Sequence, residues 1–174
     1  MEKQPIYTIG HGTRKIEDFI QLLKNFEIKY LIDARSRPYS RFNPQYNQEA
    51  LKNSLEKEGI TYVFMGDTLG GRPTDTTCYD SKGKIDYEQV KTKDFFIKGI
   101  ERLKTAYDKN LPISLMCSES KPGECHRSKL IGIVLSENDI PVQHIDEKGK
   151  LKTQVEVIKE LHNYSSGNTL FSGE

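Results

Sequence analysis

The sequence predicts an α/β domain: a mostly parallel sheet of about five strands with helices on both faces. Three observations carry this. Short apolar runs alternate with stretches of helical period along the chain. Aliphatic and aromatic residues are spread throughout its 174 residues, enough for one domain with a real core. The chemically unusual residues fall just after the apolar runs, where an open sheet of this kind binds its ligands.

The elements follow in order. "PIYTIG" is a short buried strand ending in glycine. Thr13 then stands where it can cap a helix whose apolar face is Ile16, Phe19, Ile20, Leu23 and Phe26. "KYLIDAR" is the second strand. "NQEALKNSLEKEG" is a helix with Asn47 as N-cap and Gly59 just past its end. "ITYVFMG" is the third strand. The polar stretch "DTLGGRPTDTTCYDSKGKID" after it is long for a connection, which marks it as a candidate lid or binding loop. Phe96, Ile100, Leu103 and Tyr107 then repeat at helical spacing, and "PISLMCS" is the fourth strand. A helix is expected from about Arg127 to Glu137, with Leu130, Ile131, Val134 and Leu135 inward. "PVQHI" is the fifth strand and "DEKGK" a turn. Thr153 and Glu156 form a capping box for the last helix. Residues 1–164 are read as one domain and residues 165–174 as a polar flexible tail. Parallel strands imply right-handed crossovers, so the segments that follow each strand share one rim.

That rim collects Gly10, His11 and Gly12 after the first strand and Asp33, Arg35, Arg41 and Asn43 after the second. It adds Asp67, Gly70, Gly71 and Arg72 after the third, and Cys117, Glu119, Cys125, His126 and Arg127 after the fourth. The opposite strand ends carry ordinary charged turns such as "NFEIK" and "DKNLP". Each group also has a plain structural account. The glycines can serve tight turns, Asp33 can pair with Arg35, and Cys117 can be a small buried hydrophobe. Clustered arginines either share an anion or are neutralised by Asp33, Asp67 and Glu119, and both accounts stay open.

In "CSESKPGECHRS", Pro122 and Gly123 break the chain before Cys125, His126 and Arg127 open a helix. A helix start favours an anion and lowers a cysteine pKa, and arginine offers a two-point contact to phosphate or carboxylate. Rhodaneses and cysteine-dependent phosphatases use the same parts. Here Cys117 and Arg127 stand ten apart and Cys125 and Arg127 two apart, and neither spacing fits their loop. Cys117, Cys125, His126 and His11 are also zinc or iron ligand types, but C-x7-C-H lacks the usual tight spacing, so anion binding is preferred and no metal is assigned.

The segments "TIGHG", "DARSRPYSRFNP", "LGGRP" and "MCSESKPGECHRSKL" occur in an order that resembles the DUF488 family of small bacterial and archaeal proteins. The resemblance runs from about Tyr7 to Ile145. It implies the same α/β fold and singles out the same rim residues, and it brings no substrate and no cofactor.

The expected function is an enzyme acting on an anionic substrate: a phosphate-bearing molecule, a nucleotide or a nucleic-acid end. Arg35, Arg41, Arg72 and Arg127 would hold the anion, with His11 or His126 as acid or base and Cys117 or Cys125 as nucleophile. Glu119 or Asp33 would orient an imidazole. One alternative is a non-catalytic nucleotide or nucleic-acid binder, in which Tyr39, Phe42 and Tyr46 beside Arg37 and Arg41 stack on bases or, in the plainer account, pack the loop. The other is a thiol or metal protein. The net charge of +1 predicts no general polyanion binding. No apolar run suits a membrane, the start lacks a signal-peptide core, and the cytoplasm is the expected compartment. Three cysteines, an odd number, fit reduced thiols, so Cys117 and Cys125 are expected not to be disulfide-bonded. Leu170 and Phe171, in "NTLF", are weakly similar to the Leu-Phe tails that bind bacterial sliding clamps. The tail is therefore a candidate protein-partner segment, with docking on its own domain as the simpler account.

Overall fold

The computed structural model of the chain describes residues 2–169. Six strands form one sheet: β1 (Ile6–Gly10), β2 (Tyr30–Asp33), β3 (Thr61–Phe64), β4 (Ile113–Cys117), β5 (Val142–Ile145) and β6 (Leu151–Thr153). Their order is β3-β2-β4-β1-β5-β6. The first five are parallel and β6 returns antiparallel to β5. The five expected strands are present, and β6 is an addition. Asp146 builds the turn that makes it, its Oδ1 accepting the Lys148 and Lys150 amides, with Gly149 at φ +78°.

The helices are α1 (Ile16–Asn25), α2 (Gln48–Glu56), α3 (Gly66–Leu69), α4 (Tyr87–Lys91), α5 (Asp94–Asp108), α6 (Ile133–Glu137) and α7 (Gln154–Thr169). Strand residues alternate between two cores, as the pleat requires. Ile9, Leu31 and Met116 pack with Phe19 and Leu23 of α1 and Leu51 and Leu55 of α2. Ile6, Ile32 and Leu115 pack on the other face with Phe96, Ile100 and Leu103 of α5 and Leu135 of α6. Each fully buried side chain of this kind contributes roughly 1.5–3 kcal/mol. Connections leaving β1 and β2 thus cover one face and those leaving β3 and β4 the other. β4 lies between β2 and β1, so its carboxyl end sits where the chain departs in opposite directions.

Several expectations are corrected. α1 starts at Ile16, after a turn closed by the Arg14 amide on the His11 carbonyl, so Thr13 is not its cap. Asn47 does precede α2, but its Oδ1 accepts the Ser40 amide rather than a helix amide. Gly59 takes φ +73° past the helix end, as expected. The long polar connection after β3 carries α3, a 3-10 turn at Thr76–Cys78 and α4, anchored by buried Leu69, Cys78 and Val90. The helix expected from Arg127 begins as a wide π turn, Arg127–Gly132, before α6. The Thr153–Glu156 capping box forms in both directions. α7 runs through Thr169, while Leu170 and Phe171 lie outside the described residues. No described helix is long and apolar enough to cross a membrane.

Candidate functional site

The parallel register brings the strand ends together. Gly10 lies opposite Cys117 and Asp33 opposite Met116. Beyond the ladder, the His11 amide donates to the Cys117 carbonyl at 3.0 Å, Gly12 to Ser118 at 2.9 Å and Ala34 to Met116 at 3.0 Å. The segment after β4 then folds directly onto β1. A Cβ on Gly10 would lie 1.7 Å from the Glu119 carbonyl oxygen, and one on Gly71 would meet the His126 ring at 2.9 Å. Gly12 abuts Ser120 and Gly70 abuts Ser36 in the same way. These glycines are spacers that let two loops and a ring close over the sheet end.

The first cluster is ionic. Arg35 grips Asp33 with two parallel bonds of 2.9 Å, and its Nη2 also donates to the Tyr46 carbonyl at 2.7 Å. Tyr62 donates to Asp33 Oδ2 at 2.6 Å. Burial and this carboxylate raise the Tyr62 pKa, so the phenol keeps its proton. His11 stacks on the Tyr46 ring at 4.3 Å. Its Nδ1–H donates to the Gly12 carbonyl at 2.8 Å, which leaves the Nε2 lone pair facing Arg35 Nη1 at 3.4 Å. Burial lowers the His11 pKa to about 4, helped by the Arg35 charge, so the ring is neutral at pH 7. Asp33, Arg35 and His11 are all buried and satisfy one another.

The second cluster holds the sulfurs. Cys117 at the end of β4 and Cys125 before the π turn meet sulfur to sulfur, with Cα atoms 7.1 Å apart. This corrects the expectation of two separate thiols: the Pro122–Glu124 turn folds the loop back on itself. Cys125 Sγ also accepts the Arg127 amide at 3.5 Å and faces His126 Nδ1 at 3.5 Å. His126 Nε2–H donates to the Ala34 carbonyl at 3.1 Å, so the nitrogen toward the sulfur is the one with the lone pair. Burial lowers the His126 pKa. Glu119 and Arg72 are exposed. Tyr87 of α4 lies in the field of both: burial and the Glu119 charge raise its pKa against the opposing Arg72 charge. Cys117 Sγ, Cys125 Sγ and a Glu119 carboxylate oxygen lie within 4.8 Å of one another, the one such donor group among the described residues. As separate thiolates they suit a thiophilic cation such as zinc.

Arg127 is turned inward. It is fully buried, and its guanidinium reaches the carbonyls of Glu119 (3.3 Å) and Ser120 (2.9 Å) and the hydroxyl of Thr8 (3.3 Å). Its Nε has no partner, and no described carboxylate forms an ion pair with it. Burial lowers its pKa to about 9, so it remains a cation at neutral pH. A directed chain runs on from it. Thr8 accepts from Arg127 and donates to His144 Nδ1 at 2.6 Å. His144 Nε2–H donates to Gln154 Oε1 at 2.6 Å, and Gln154 donates to the Ser128 carbonyl at 2.8 Å. The wide turn frees that carbonyl, and Gln154 satisfies it.

Of the rim residues read from sequence, Gly10, Gly12, His11, Asp33, Arg35, Gly70, Gly71, Cys117, Glu119, Cys125, His126 and Arg127 meet at the ends of β1, β2 and β4. Arg72 borders them through its amide, which donates to Ser36 Oγ at 2.9 Å. Arg41 and Asn43 belong to a loop beyond β2, where the Asn43 amide donates to Ser40 Oγ at 3.0 Å. Thr8, Tyr62, Tyr87, His144 and Gln154 were missed. Polar Thr8, Tyr62 and His144 inside apolar strands were a readable signal, since such groups need buried partners. Tyr87 offered none.

The fold and this rim define an open α/β protein whose strand ends enclose paired sulfurs and a buried cation. The chain belongs to the DUF488 family: the family model, described as a domain of unknown function, matches residues 15–134. The match takes in every rim segment except that after β1. No curated protein and no solved structure matches the chain.

Proposed function

We propose that the chain is a thiol-dependent enzyme acting on an anionic substrate, with Cys125 and Cys117 as the reacting pair. The observation that carries this is the buried Arg127 cation, which has no carboxylate ion-pair partner among the described residues and shares the Glu119 carbonyl with Cys117. A buried positive charge favours a nearby thiolate, and the Arg127 amide adds a donor to Cys125 Sγ. His126 Nδ1, 3.5 Å from Cys125 Sγ, takes the thiol proton, and exposed Arg72 supplies the charge partner for the substrate. Two adjacent sulfurs favour thiol–disulfide exchange over phosphoryl transfer. One thiolate attacks a substrate disulfide and expels the first substrate thiolate. The second then attacks that mixed disulfide, releasing the other substrate thiolate and leaving the Cys117–Cys125 bond. Both cysteines are buried, so the Ser118–Glu124 loop must lift to admit substrate.

The test is the ionisation of the reduced protein followed by ultraviolet thiolate absorbance, with Cys117→Ser and Cys125→Ser to assign the groups. One thiol is expected to titrate well below the ordinary ~8.5 and to rise toward it in Arg127→Met. Exchange with glutathione disulfide should outpace exchange with an uncharged disulfide, and Arg72→Gln should remove that preference. Ordinary thiol pKa values together with no preference for the anionic disulfide would overturn the reading.

A second reading rests on the Cys117, Cys125 and Glu119 donor group: the reduced pair holds a thiophilic cation. Elemental analysis of untagged, reduced protein decides it. About one zinc per chain, lost in Cys117→Ser, supports this reading, and metal-free protein rejects it.

A further inference from the structure

We infer that the loop between β2 and the 3-10 turn at Pro44–Tyr46 is a stacking platform for single-stranded nucleic acid. Tyr39 is 71% exposed and Phe42 88% exposed. The plainer account, in which these rings pack the loop, holds only for Tyr46, which is buried against His11. Burying a ring is worth a few kcal/mol, so two rings left in water on one short loop forgo that gain until a ligand covers them.

The loop is not slack. The Tyr39 amide donates to the Arg37 carbonyl at 2.8 Å and the Gln48 amide to the Pro38 carbonyl at 3.0 Å. The Ser40 amide donates to Asn47 Oδ1 at 2.7 Å and the Asn43 amide to Ser40 Oγ at 3.0 Å. Pro38 and Pro44 fix the backbone further. The rings are therefore presented in advance, which lowers the ordering cost of binding.

Charge selects the partner. Arg37 and Arg41 are exposed, and neither has an ion-pair partner among the described residues. No acidic residue occurs from Ala34 through Gln48. Cation and aromatic ring alternate at Arg37, Tyr39 and Arg41, with Phe42 following. A single strand offers phosphates and open base faces in the same alternation, whereas a duplex hides the faces and an acidic peptide lacks them. The surface is separate from the sulfur pair, so it stands or falls apart from the thiol reading.

Fluorescence anisotropy of the full chain with labelled oligothymidine and oligouridine of about twelve nucleotides tests it, with a hairpin duplex as competitor. Binding is expected at about 50 mM salt, stronger for the single strands than for the duplex. Phe42→Ala and Tyr39→Ala should each weaken it by roughly 5- to 150-fold. Arg37→Gln and Arg41→Gln should each reduce the slope of log K against log salt by about 0.7. All four positions are exposed, and unchanged melting temperatures will confirm that the variants are folded. Three results would overturn the platform: no single-strand binding at low salt, equal binding by wild type and Tyr39→Ala/Phe42→Ala, or preference for the duplex. Binding of a polyglutamate peptide without any oligonucleotide binding would also overturn it and reassign the surface to an acidic protein.

Discussion

Asp33 shows how much one buried carboxylate organises. It accepts both arms of Arg35, the Arg35 amide and the Tyr62 hydroxyl, so its charge is met without water. A hydrogen bond to an ionised group is worth roughly 1.5–3 kcal/mol, and Tyr62→Phe removes one while leaving the ring. The urea midpoint should fall accordingly with the slope unchanged, which equilibrium unfolding measures directly. Arg127 is the opposite case, a charge met by carbonyl dipoles instead of a carboxylate. In sequence both arginines follow a strand, Arg35 two residues after β2 and Arg127 ten residues after β4, and each has an acidic residue nearby. What separates them is whether the neighbouring acid points inward, and a side-chain direction of that kind is not written in spacing.

Among the elements, the loop after β4 depends most on a single neighbour. The Glu119 carbonyl rests on Gly10, so Gly10→Ala must push backbone against backbone. The expected loss is about 1–3 kcal/mol or more, together with a changed Cys117–Cys125 spacing seen as altered alkylation of the reduced thiols. Gly59→Ala is the control. Nothing lies within 4 Å of its added Cβ, and only the left-handed φ of +73° costs, roughly 1–2 kcal/mol without any effect on the thiols. The five parallel strands were legible as short apolar runs, and the main helices because their apolar spacing repeats over several turns. β6, α3 and α4 are too short for a period to show; β6 is made by the local Asp146 turn that returns it along β5, and α3 is held by α5, which comes later in the chain. The shared rim was legible from the alternation of strands and helices and the one-sided placement of the unusual residues. The sulfur contact, the π turn and the inward Arg127 were not, because each depends on the path of the Ser118–Glu124 loop.

At the scale of the whole molecule, two buried histidines make stability depend on acid. His11 and His144 both have folded pKa values near 4 against an ordinary 6.5, because burial disfavours their charged forms. The unfolded chain therefore binds more protons between these values. The stabilisation is complete above about pH 6.5 and is lost as pH falls toward 4, by up to about 1.4 kcal/mol per pH unit for each histidine. Thermal melts across that window should show the slope, and His144→Gln should remove this residue's share of it, while His11 and His126, whose pKa burial also lowers, keep theirs. The strand order bears on how the molecule is made. β1 emerges early in synthesis, yet both its partners, β4 and β5, come from residues 113–145. Only β2 and β3 pair with each other before then. The centre of the sheet must therefore wait for most of the chain, and the long-range pairing it requires slows folding. A chain ending at Leu111 is expected to show no cooperative unfolding by circular dichroism, although it contains three of the strands. On the ribosome, the His11 segment leaves the exit tunnel well before the cysteine segment it will meet, and chaperones have that interval in which to act.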